Sequence, residues 1–542
     1  MSDFKDKVIY QIYPKSFKDS NDDGIGNLRG IIDKLDYLSF LGIDYIWITP
    51  FFKSPQNDNG YDIEDYYSID PLFGTMEDLE ELIDKAKEKN IYLMLDMVFN
   101  HTSTNHIWFK KALNGDKYYK DFYFFRKNEG KVPTNWQSKF GGSAWEYVRQ
   151  LDEYYLHLYD KSQADLNWQN PNVRDELVKI LNFWLEKGIK GFRFDVINVI
   201  SKECFKDDYI GDGRRFYTDG PKVLEYMEEL NERSFGKYKD IVTVGEMSST
   251  TIENCIKYTN PDNKALDMAF NFHHLKVDYK DDKKWTIMPF DFMKLKRLLN
   301  SWQIGMQEGN GWNALFWNCH DQPRSVSRFG DDKNYLKESA KMLATALHLQ
   351  KGTPYIYQGE EIGMTNNYFT DIRDYKDVES INYYNILKEK GIDEKEIYLI
   401  LQQKSRDNAR SPMQWNSKGG FSNEKSWIKI NENTKNINVD NNINDKDSIL
   451  YYYKKLIELR KEYEIISLGE YEPFLEDNER VYAFIRKYKG KKLIVLNNFY
   501  KEITTVKIDN IKDYKILISN YDNNDLKDNL VLRPYESIAL YK

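Results

Sequence analysis

Acidic and histidine side chains cluster at four places where a short apolar run of the sequence stops. The segments are DMVFNHTS (96–103), GFRFDVIN (191–198), VGEM (244–247) and WNCHDQPR (317–324). Carboxylates gathered at the carboxyl ends of parallel strands meet at one edge of a sheet, where they can act as acids, bases and nucleophiles. One such acid alone is more often a capping or salt-bridge residue, but acids at positions 96, 195, 246 and 321 together indicate one site.

Three of these acids suit the hydrolysis of a glycoside. Arg193 and Asp195 are two residues apart on a strand, so both project to one face, and we expect the guanidinium to keep the carboxylate ionised as a nucleophile. Glu246 ends a mostly apolar run, where partial desolvation would raise its pKa and suit it to donate a proton to the leaving oxygen. Asp321, beside His320, would hold sugar hydroxyls and favour ring distortion.

A metal centre is the alternative explanation for these strand ends. It would use His101, His320 and the neighbouring acids as ligands. Neither histidine has a second histidine or a cysteine at the spacing typical of zinc sites. The sequence therefore favours glycosidase chemistry over a catalytic metal.

The elements that must position these residues alternate between short apolar strands and amphipathic helices, which is typical of a parallel α/β sheet. Helical spacing is clear in Leu79, Leu82, Ile83 and Ala86, and again in Leu177, Ile180, Leu181 and Trp184. We predict strands near 8–13, 43–48, 91–98, 189–195, 241–245, 266–271, 315–319 and 354–357. Eight such strands would close a (β/α)₈ TIM barrel.

Two further units are predicted beside the barrel. About seventy residues rich in Trp, Tyr, Gly and Asn separate the third strand from the next helix, which is too long for an ordinary connecting loop. We therefore divide the chain into a barrel (1–100 and 169–464), an inserted subdomain (101–168) and a C-terminal domain (465–542). Alternating short strands predict that the C-terminal domain is antiparallel and β-sandwich-like.

Composition excludes several kinds of partner. The formal charge of −8 disfavours nucleic acid and anionic membranes, which select basic surfaces. Three scattered cysteines, Cys204, Cys255 and Cys319, indicate a reducing compartment rather than a disulfide framework. With neither a signal-peptide pattern nor a membrane span in the sequence, we expect a cytoplasmic protein, and we favour a monomer.

The four strand ends, together with VIYQIYPKSF (8–17), GYDIEDY (60–66) and QADLNW (163–168), resemble the α-amylase superfamily, glycoside hydrolase family thirteen. The block SRDNARSPMQW (405–415) resembles its oligo-1,6-glucosidase-like branch. The resemblance implies retention of configuration by carboxylates about 5 Å apart and no organic cofactor. It implies Asp195 as nucleophile, Glu246 as acid/base and Asp321 as transition-state stabiliser. It also implies a set of side chains that bind the nonreducing glucose: Asp62, His101, Arg193, His320 and Arg410.

Other segments resemble the phosphotrehalose-cleaving members of this superfamily: GDGRRFYTDGP (211–221), GEMSST (245–250), FNFHHLKVDY (270–279) and YIYQGEEIGMTN (355–366). The implied substrate is a small sugar phosphate, trehalose 6-phosphate, split into glucose and glucose 6-phosphate. His274, Lys276 and Lys284 would follow the sixth strand over the barrel mouth, where cationic donors could pair with a phosphate dianion. Weaker candidates for the phosphate are Arg214, Arg215 and Arg324.

Two other functions stay open at this point. A sucrose isomerase or another transglycosylating relative would use the same residues, so product analysis must decide. Val196, directly after the proposed nucleophile, resembles the branch acting on α-1,6 bonds, so an oligo-1,6-glucosidase or dextran glucosidase for uncharged substrates is the alternative. A catalytically inactive relative serving as a transporter subunit is disfavoured, because all three acids are present.

The run DSNDDGIGN (19–27) has oxygen-bearing side chains at its first, third and fifth positions and then a glycine, a spacing by which loops wrap calcium. Gly30 stands at position twelve, so the loop is not an EF-hand. The run resembles the single calcium loop of the oligo-1,6-glucosidase-like branch, which implies a structural Ca²⁺. An unmetallated turn is the alternative. The implied ligands are Asp19, Asn21, Asp23, the Ile25 carbonyl and Asn27.

Overall fold

Eight parallel strands form a closed barrel in the computed structural model, which describes residues 4–522 and 526–542. The strands are β1 (Ile9–Ile12), β2 (Tyr45–Ile48), β3 (Tyr92–Met97), β4 (Gly191–Phe194), β5 (Val242–Glu246), β6 (Met268–Phe270), β7 (Ala314–Leu315) and β8 (Thr353–Tyr357). Their order is β6-β5-β4-β3-β2-β1-β8-β7. The barrel closes where the Ala269 N–H donates to the Trp312 carbonyl at 3.2 Å. This confirms the predicted fold class.

The strand register determines the level along the barrel axis at which each strand-end residue lies. Arg193 of β4 pairs with Asp96 of β3, and Glu246 of β5 pairs with Phe270 of β6. Strands β1, β2, β4 and β8 are buried along their whole length, as expected for a parallel sheet covered on both faces.

The barrel helices cover the sheet with their apolar faces. In α2 the Thr75 hydroxyl accepts from the Asp78 N–H while the Asp78 carboxylate reaches back to the Thr75 N–H, which caps the first turn. Asn170 caps the N-terminus of α3 (Pro171–Glu186), and Pro171 is its first residue. This helix lies in the region where the apolar spacing predicts one. The helices are α1 (Leu35–Leu41), α2 (Met76–Glu88), α3 (Pro171–Glu186), α4 (Val223–Arg233), α5 (Ile252–Thr259), α6 (Phe292–Glu308), α7 (Leu336–His348) and α8 (Ile449–Glu462).

Strand β7 is shorter than predicted, ending at Leu315 instead of residue 319. Asn318 turns inward: its amide nitrogen donates to the Ser325 hydroxyl and to Glu360, and its amide oxygen accepts from the Ser325 N–H at 2.6 Å. The chain is thereby bent around Asn318 rather than extended. Asp321 consequently lies on a fixed loop beyond the strand.

The region between β3 and α3 leaves and rejoins the barrel through an antiparallel pair, His101–Ser103 with Gln163–Asp165. It contains a three-stranded sheet with Glu153–Leu156 between Phe125–Lys127 and Trp145–Val148. Its helices are Ile107–Leu113 and Lys117–Lys120. Its own apolar cluster includes Trp136, Trp145 and Leu158.

A second excursion, which the sequence analysis did not predict, follows β8. Residues 366–404 carry the helices Val378–Glu389 and Glu394–Lys404. They pack as a separate apolar cluster around Trp285, Tyr384 and Leu401. This excursion brings Asp377 and Glu379 to the barrel mouth.

The C-terminal part is antiparallel, with a five-stranded sheet in the order β9-β10-β11-β15-β13 and a separate pair β12-β14. Its strands are β9 (Glu470–Phe474), β10 (Val481–Tyr488), β11 (Lys491–Asn498), β12 (Thr504–Lys507), β13 (Lys515–Ser519), β14 (Asn529–Leu532) and β15 (Ser537–Tyr541). Buried Arg486 donates to the carbonyls of Leu349, Ile466 and Gly469, which ties this sheet to the barrel.

Several short elements connect these units. They are the antiparallel strands Phe52–Lys53 and Asp65–Ile69 and the helices Leu28–Ile32, Ser325–Phe329, Asp407–Arg410, Val439–Asn444 and Glu464–Leu468. Within residues 4–522 and 526–542, every helix is too short or too polar to cross a membrane.

Candidate active site

One guanidinium holds the acids of β3, β4 and β5 together. Arg193 donates to Asp96 at 2.5 Å and to Asp195 at 2.7 Å, and its second terminal nitrogen contacts Glu246. The Arg193 side chain is only 2% exposed and lies over the Trp47 ring. Asp195 and Glu246 therefore lie close to each other, on two nitrogens of one guanidinium.

The ionisation of Asp195 differs from the sequence-based prediction. Burial raises the pKa of Asp195 to about 7, because it outweighs the opposing charge of Arg193, and the charges of Asp96 and Asp321 raise it further. A neighbouring arginine therefore does not by itself hold this carboxyl fully ionised at neutral pH. Arg193 also forms an ion pair with Asp96, which weakens its effect on Asp195.

Asp321 faces two arginines from the segment 405–415. Arg410 donates to Asp321 at 2.9 Å and Arg406 donates to it at 3.1 Å. Burial opposes ionisation of Asp321, but His320 and the guanidiniums of Arg406, Arg410 and Arg193 outweigh it and hold its pKa well below the usual range. Fully buried Asp377 binds Arg406 at 2.5 Å and lies 3.6 Å from Arg410, so it fixes both arginines. Asp321 is thus a permanently charged acceptor for sugar hydroxyls.

These acids open onto a cavity of about 280 Å³ at the barrel mouth. Its wall combines strand-end residues with residues of the inserted region, of the segment after β6 and of the excursion after β8. The lining includes Asp58, Tyr61, His101, Lys139, Phe140, Tyr159, Gln163, Asp195, Val196, Glu246, Ser248, Ser249, Phe272, Leu275, Lys276, Tyr279, Lys284, Asp321, Gln322, Glu379 and Arg406. Carboxylates, hydroxyls, amides and aromatic faces in one cleft are suited to a carbohydrate.

Two neutral histidines lie near these carboxylates. Burial lowers the pKa of His101 to about 4 and that of His320 to about 3. His101 contacts the Tyr61 carbonyl and Gln163, each at 3.1 Å. His320 stacks on Tyr61 with 5.3 Å between ring centroids and contacts Gln11 at 2.8 Å. Neutral His101 uses its one N–H on the Tyr61 carbonyl, whereas His320 keeps its Nε2–H available for a hydrogen bond that adds no charge.

Asp62, a predicted sugar ligand, does not line the cavity, and its role in sugar binding stays a prediction. Its carboxylate is fully buried and already accepts from the Ser54 hydroxyl and from the N–H groups of Asn57 and Asp58. Asp62 therefore shapes the turn, and Asp58 faces the cavity. Burial raises the pKa of Asp58 to about 8 despite the nearby arginines, one of which, Arg406, is 3.6 Å away.

The three candidates for phosphate binding separate in the structure. Lys276 and Lys284 line the cavity, but His274 does not. The His274 ring is buried against Phe316, its Nε2 lies 2.9 Å from the Phe316 carbonyl, and burial lowers its pKa to about 4. His274 therefore lies behind the cavity wall, and its role in phosphate binding stays a prediction. Lys284 is paired with Glu379 at 2.6 Å.

The weaker arginine candidates also have other partners. Arg214 is paired with Asp212 at 2.6 Å and Arg215 with Asp208 at 2.9 Å, and both are largely exposed. Arg324 is buried and donates to the carbonyls of Gln358 and Ala409. None of the three lines the cavity in the part of the chain that the structure describes.

The predicted calcium loop is closed by its own side chains. Buried Asp19 accepts from the N–H groups of Asn21, Asp22 and Gly24, and the Asn27 amide donates to Asn21 at 2.9 Å. The Asn21 amide in turn donates to Asp23 at 3.0 Å. Oxygen donors gathered in one tight loop fit the preference of Ca²⁺.

Amides and a carbonyl would supply much of that coordination. Among the residues that the structure describes, no group of three or more His, Cys, Asp or Glu side chains could hold a metal. Asp19 and Asp23, the two Asn side chains and the Ile25 carbonyl form an oxygen set that includes only two carboxylates.

Sequence reasoning missed several cavity residues: Asp58, Tyr61, Tyr159, Gln163, Arg406, Glu379 and Lys139. Three signals were present. Asp58 and Tyr61 stand in or beside the segment 60–66, Gln163 opens QADLNW, and Arg406 precedes Arg410 by four residues, one helical turn. For Glu379 and Lys139 the sequence offered no comparable signal.

Comparison with protein families and known proteins agrees with this geometry. Residues 11–469 match the family described as alpha amylase, catalytic domain, and residues 481–539 match the alpha-amylase SusG C-terminal domain. The chain is 54% identical to a trehalose-6-phosphate hydrolase of Bacillus subtilis, over 99% of this chain and 97% of that protein. It is 49% identical to an oligo-1,6-glucosidase of Bacillus cereus, over 99% and 98%.

A solved structure extends the similarity to the whole fold. The crystal structure of Bacillus licheniformis trehalose-6-phosphate hydrolase superimposes with a TM-score of 0.96 at 55% sequence identity, and each chain is covered completely. A trehalulose synthase mutant, at 38% identity, superimposes with a TM-score of 0.95. The same scaffold therefore serves proteins with different reactions, and the choice among them must come from the cavity.

Proposed function

Because this chain belongs to the α-amylase family of glycoside hydrolases, we propose that it is a retaining α-glucosidase that hydrolyses trehalose 6-phosphate to glucose and glucose 6-phosphate. The observation that carries the proposal is the shared guanidinium of Arg193, which holds Asp195 and Glu246 side by side on the wall of one cavity. Asp321, held by two further arginines, completes the acid set.

The proposed reaction has two steps. Asp195 attacks the anomeric carbon of the nonreducing glucose while Glu246 gives its proton to the glycosidic oxygen, so that bond breaks and glucose 6-phosphate leaves. Glu246 then takes a proton from water, the water oxygen attacks the same carbon, and the bond to Asp195 breaks. Two inversions leave glucose in the α configuration.

The remaining polar side chains have separate tasks in this proposal. Asp321 accepts hydrogen bonds from ring hydroxyls, and because its charge is fixed by Arg406 and Arg410 it can stabilise the positive charge that develops on the ring. His320 donates to a sugar hydroxyl from its neutral ring, and neutral His101 packs against the sugar while its N–H stays on the Tyr61 carbonyl. Asp58, beside Arg406, takes the hydroxyls at the far end of the glucose, in place of Asp62.

Two further assignments accompany this function. The location is the cytoplasm, which free thiols at all three cysteines support. The loop 19–27 holds a structural Ca²⁺, supported by its convergent oxygen donors.

The decisive experiment compares trehalose 6-phosphate, trehalose and isomaltose as substrates at equal concentration, with Asp195→Asn as the inactive control. We expect kcat/KM to be highest for trehalose 6-phosphate, and we expect NMR to show the released glucose as the α anomer before it mutarotates. Preference for isomaltose would instead identify an oligo-1,6-glucosidase, the activity named for the Bacillus cereus relative. Release of β-glucose would refute the covalent mechanism.

A further inference from the structure

The chain after Glu246 continues past the point where its neighbouring strand ends. Strand β4 ends at Phe194, and the next N–H, that of Asp195, donates to the Met97 carbonyl of β3 at 3.0 Å. Val196 then has φ 37° and ψ 38°, in the left-handed region, so the backbone turns away from β5. The residues that follow Glu246 therefore lose their strand neighbour on the β4 side.

A side-chain amide takes the place of that neighbour. Successive N–H groups of a strand point to opposite sides, and because the Met247 N–H donates to the Phe270 carbonyl of β6, the Ser248 N–H points toward β4. The Asn198 amide oxygen accepts this N–H at 2.8 Å, and the Asn198 amide nitrogen donates to the Ser248 carbonyl at 2.9 Å. Fully buried Asn198 thus binds both backbone groups of the residue two positions after Glu246.

Asp219 fixes the orientation of this amide. The Asn198 amide nitrogen also donates to the Asp219 carboxylate at 2.9 Å, and the Asp219 N–H donates to the Asn198 carbonyl at 2.9 Å. Because a carboxylate only accepts, the amide nitrogen must face Asp219, which leaves the amide oxygen for the Ser248 N–H. Asn254 and Tyr258 of α5 donate to the same carboxylate, each at 3.0 Å. The amide is therefore held in one orientation.

These bonds connect the segments that carry the two proposed catalytic acids. Asn198 stands three residues after Asp195, and it holds the backbone that follows Glu246. The next residue, Ser249, has φ 51°, a conformation that costs free energy for a serine, so its backbone must be held in place by its surroundings. A shift of this backbone would move Glu246, whereas Asp195 is held separately by β3 and by Arg193.

We propose that Asn198 is a positioning residue for the general acid/base, because its two bonds to Ser248 set the position of Glu246 relative to the leaving oxygen. This assignment rests on the proposed function, in which Glu246 protonates that oxygen. Asn198 is buried behind the residues that line the cavity, so it acts through the Ser248 backbone and does not contact the sugar. Its loss weakens proton donation and leaves attack by Asp195 largely intact.

The test measures kcat/KM of Asn198→Ala on two substrates that differ in their need for a proton. The sugar that leaves trehalose 6-phosphate must be protonated, whereas fluoride leaves α-glucosyl fluoride with little help from an acid. General acid catalysis contributes about 100- to 10,000-fold, so a displaced Glu246 should lower kcat/KM about 10- to 100-fold on trehalose 6-phosphate and less than about threefold on the fluoride.

Two further variants accompany this measurement. Asn254→Ala is the matched control, because it removes another amide that donates to Asp219 but binds that carboxylate rather than Ser248. It should change kcat/KM for neither substrate. Asn198→Asp has nearly the same shape as the natural residue and serves if Asn198→Ala does not fold. Its carboxylate accepts from the Ser248 N–H but cannot donate to the Ser248 carbonyl, so the loss should again be larger on trehalose 6-phosphate.

Equal losses on the two substrates would overturn the assignment, since they would mean that Asn198 supports the whole site. The same preference for the fluoride in Asn254→Ala, or unchanged kinetics in both Asn198 variants, would overturn it as well. If the unaltered enzyme does not hydrolyse trehalose 6-phosphate, the proposed function fails. The comparison then uses isomaltose, whose leaving sugar needs the same proton, so the two failures are distinguishable.

Discussion

Replacing Lys284 by Met and Glu379 by Gln, singly and together, tests whether the ion pair across the cavity mouth is a structural unit. The two atoms are 2.6 Å apart and the side chains are 19% and 13% exposed. Burial alone would lower the pKa of Lys284, but the Glu379 carboxylate outweighs it and the pKa is raised. The pair is therefore stabilising in its folded surroundings.

The magnitude follows from this intermediate burial. Exposed pairs contribute about 0–1 kcal/mol, whereas breaking a fully buried pair costs about 3–5 kcal/mol, so we expect a coupling free energy of about 2 kcal/mol. The two single variants should differ. Glu379→Gln leaves the Lys284 ammonium near Arg406, whereas Lys284→Met leaves Glu379 with Arg406 at 3.6 Å as a substitute partner. Glu379→Gln should therefore destabilise the protein more.

The assay is urea unfolding followed by tryptophan fluorescence, arranged as a double-mutant cycle. The same cycle on the exposed pair of Glu176 and Lys179, on the surface of α3, is the control and should give much weaker coupling. Coupling no stronger than in that control would refute the reasoning, as would a larger loss of stability in Lys284→Met than in Glu379→Gln.

Three further outcomes are expected. Because the pKa of Asp195 is raised to about 7, this carboxyl gains a proton as the pH falls, so kcat/KM should decline below about pH 7; a profile flat to pH 5 would contradict this. Asp58→Asn should lower kcat/KM by roughly 10- to 100-fold for every glucoside, measured with and without phosphate on the substrate. Calcium added after chelation should raise Tm. Asp19→Ala should abolish this increase. The control Asp22→Ala, which removes only the acceptor of a hydrogen bond from Asn423, should leave the increase unchanged.

The proposed catalytic acids could be predicted from the sequence because each stands at the end of a strand or shortly after it. A parallel barrel brings such ends to one rim, so Asp195, Glu246 and Asp321 needed no knowledge of long-range contacts. The same argument did not predict the length of β7 correctly. The Ser325 N–H donates a hydrogen bond to the Asn318 side chain, and this bond bends the chain there. Local polar side chains compete with strand pairing in a way that apolar patterning does not reveal.

The choice between Asp58 and Asp62 illustrates a finer limit. Both acids lie within one short stretch of sequence. The turn between residues 56 and 60 determines which of them faces the cavity. Gln56, Asn59 and Gly60 all have positive φ there, at 64°, 49° and 100°. These left-handed residues fold the backbone so that its N–H groups enclose Asp62 and expose Asp58 to the cavity. Residue types alone could not predict that geometry.

The charged residues on the phosphate side of the cavity were still harder to predict from the sequence, because residues that pair with each other there are far apart in the chain. Lys284 and Glu379 are separated by 95 residues and meet only because the excursion after β8 folds back over the segment after β6. Lys139 arrives from a third region. From sequence the lysines after β6 looked equivalent, and only the positions of carboxylates from other elements distinguish the paired one from the unpaired one.

The distribution of charges in the cavity explains how a chain with a net negative charge can bind a phosphate dianion close to Asp195, Glu246 and Asp321. On the catalytic wall the carboxylates are matched by guanidiniums: Arg193 serves Asp96, Asp195 and Glu246, while Arg406 and Arg410 serve Asp321 and Asp377. A phosphate placed there would meet arginines that are already paired. Unpaired positive charge remains only where Lys139 and Lys276 face the cavity, among the described residues that line it. Electrostatics therefore orients the substrate, because a reversed trehalose 6-phosphate would place its dianion against the carboxylates.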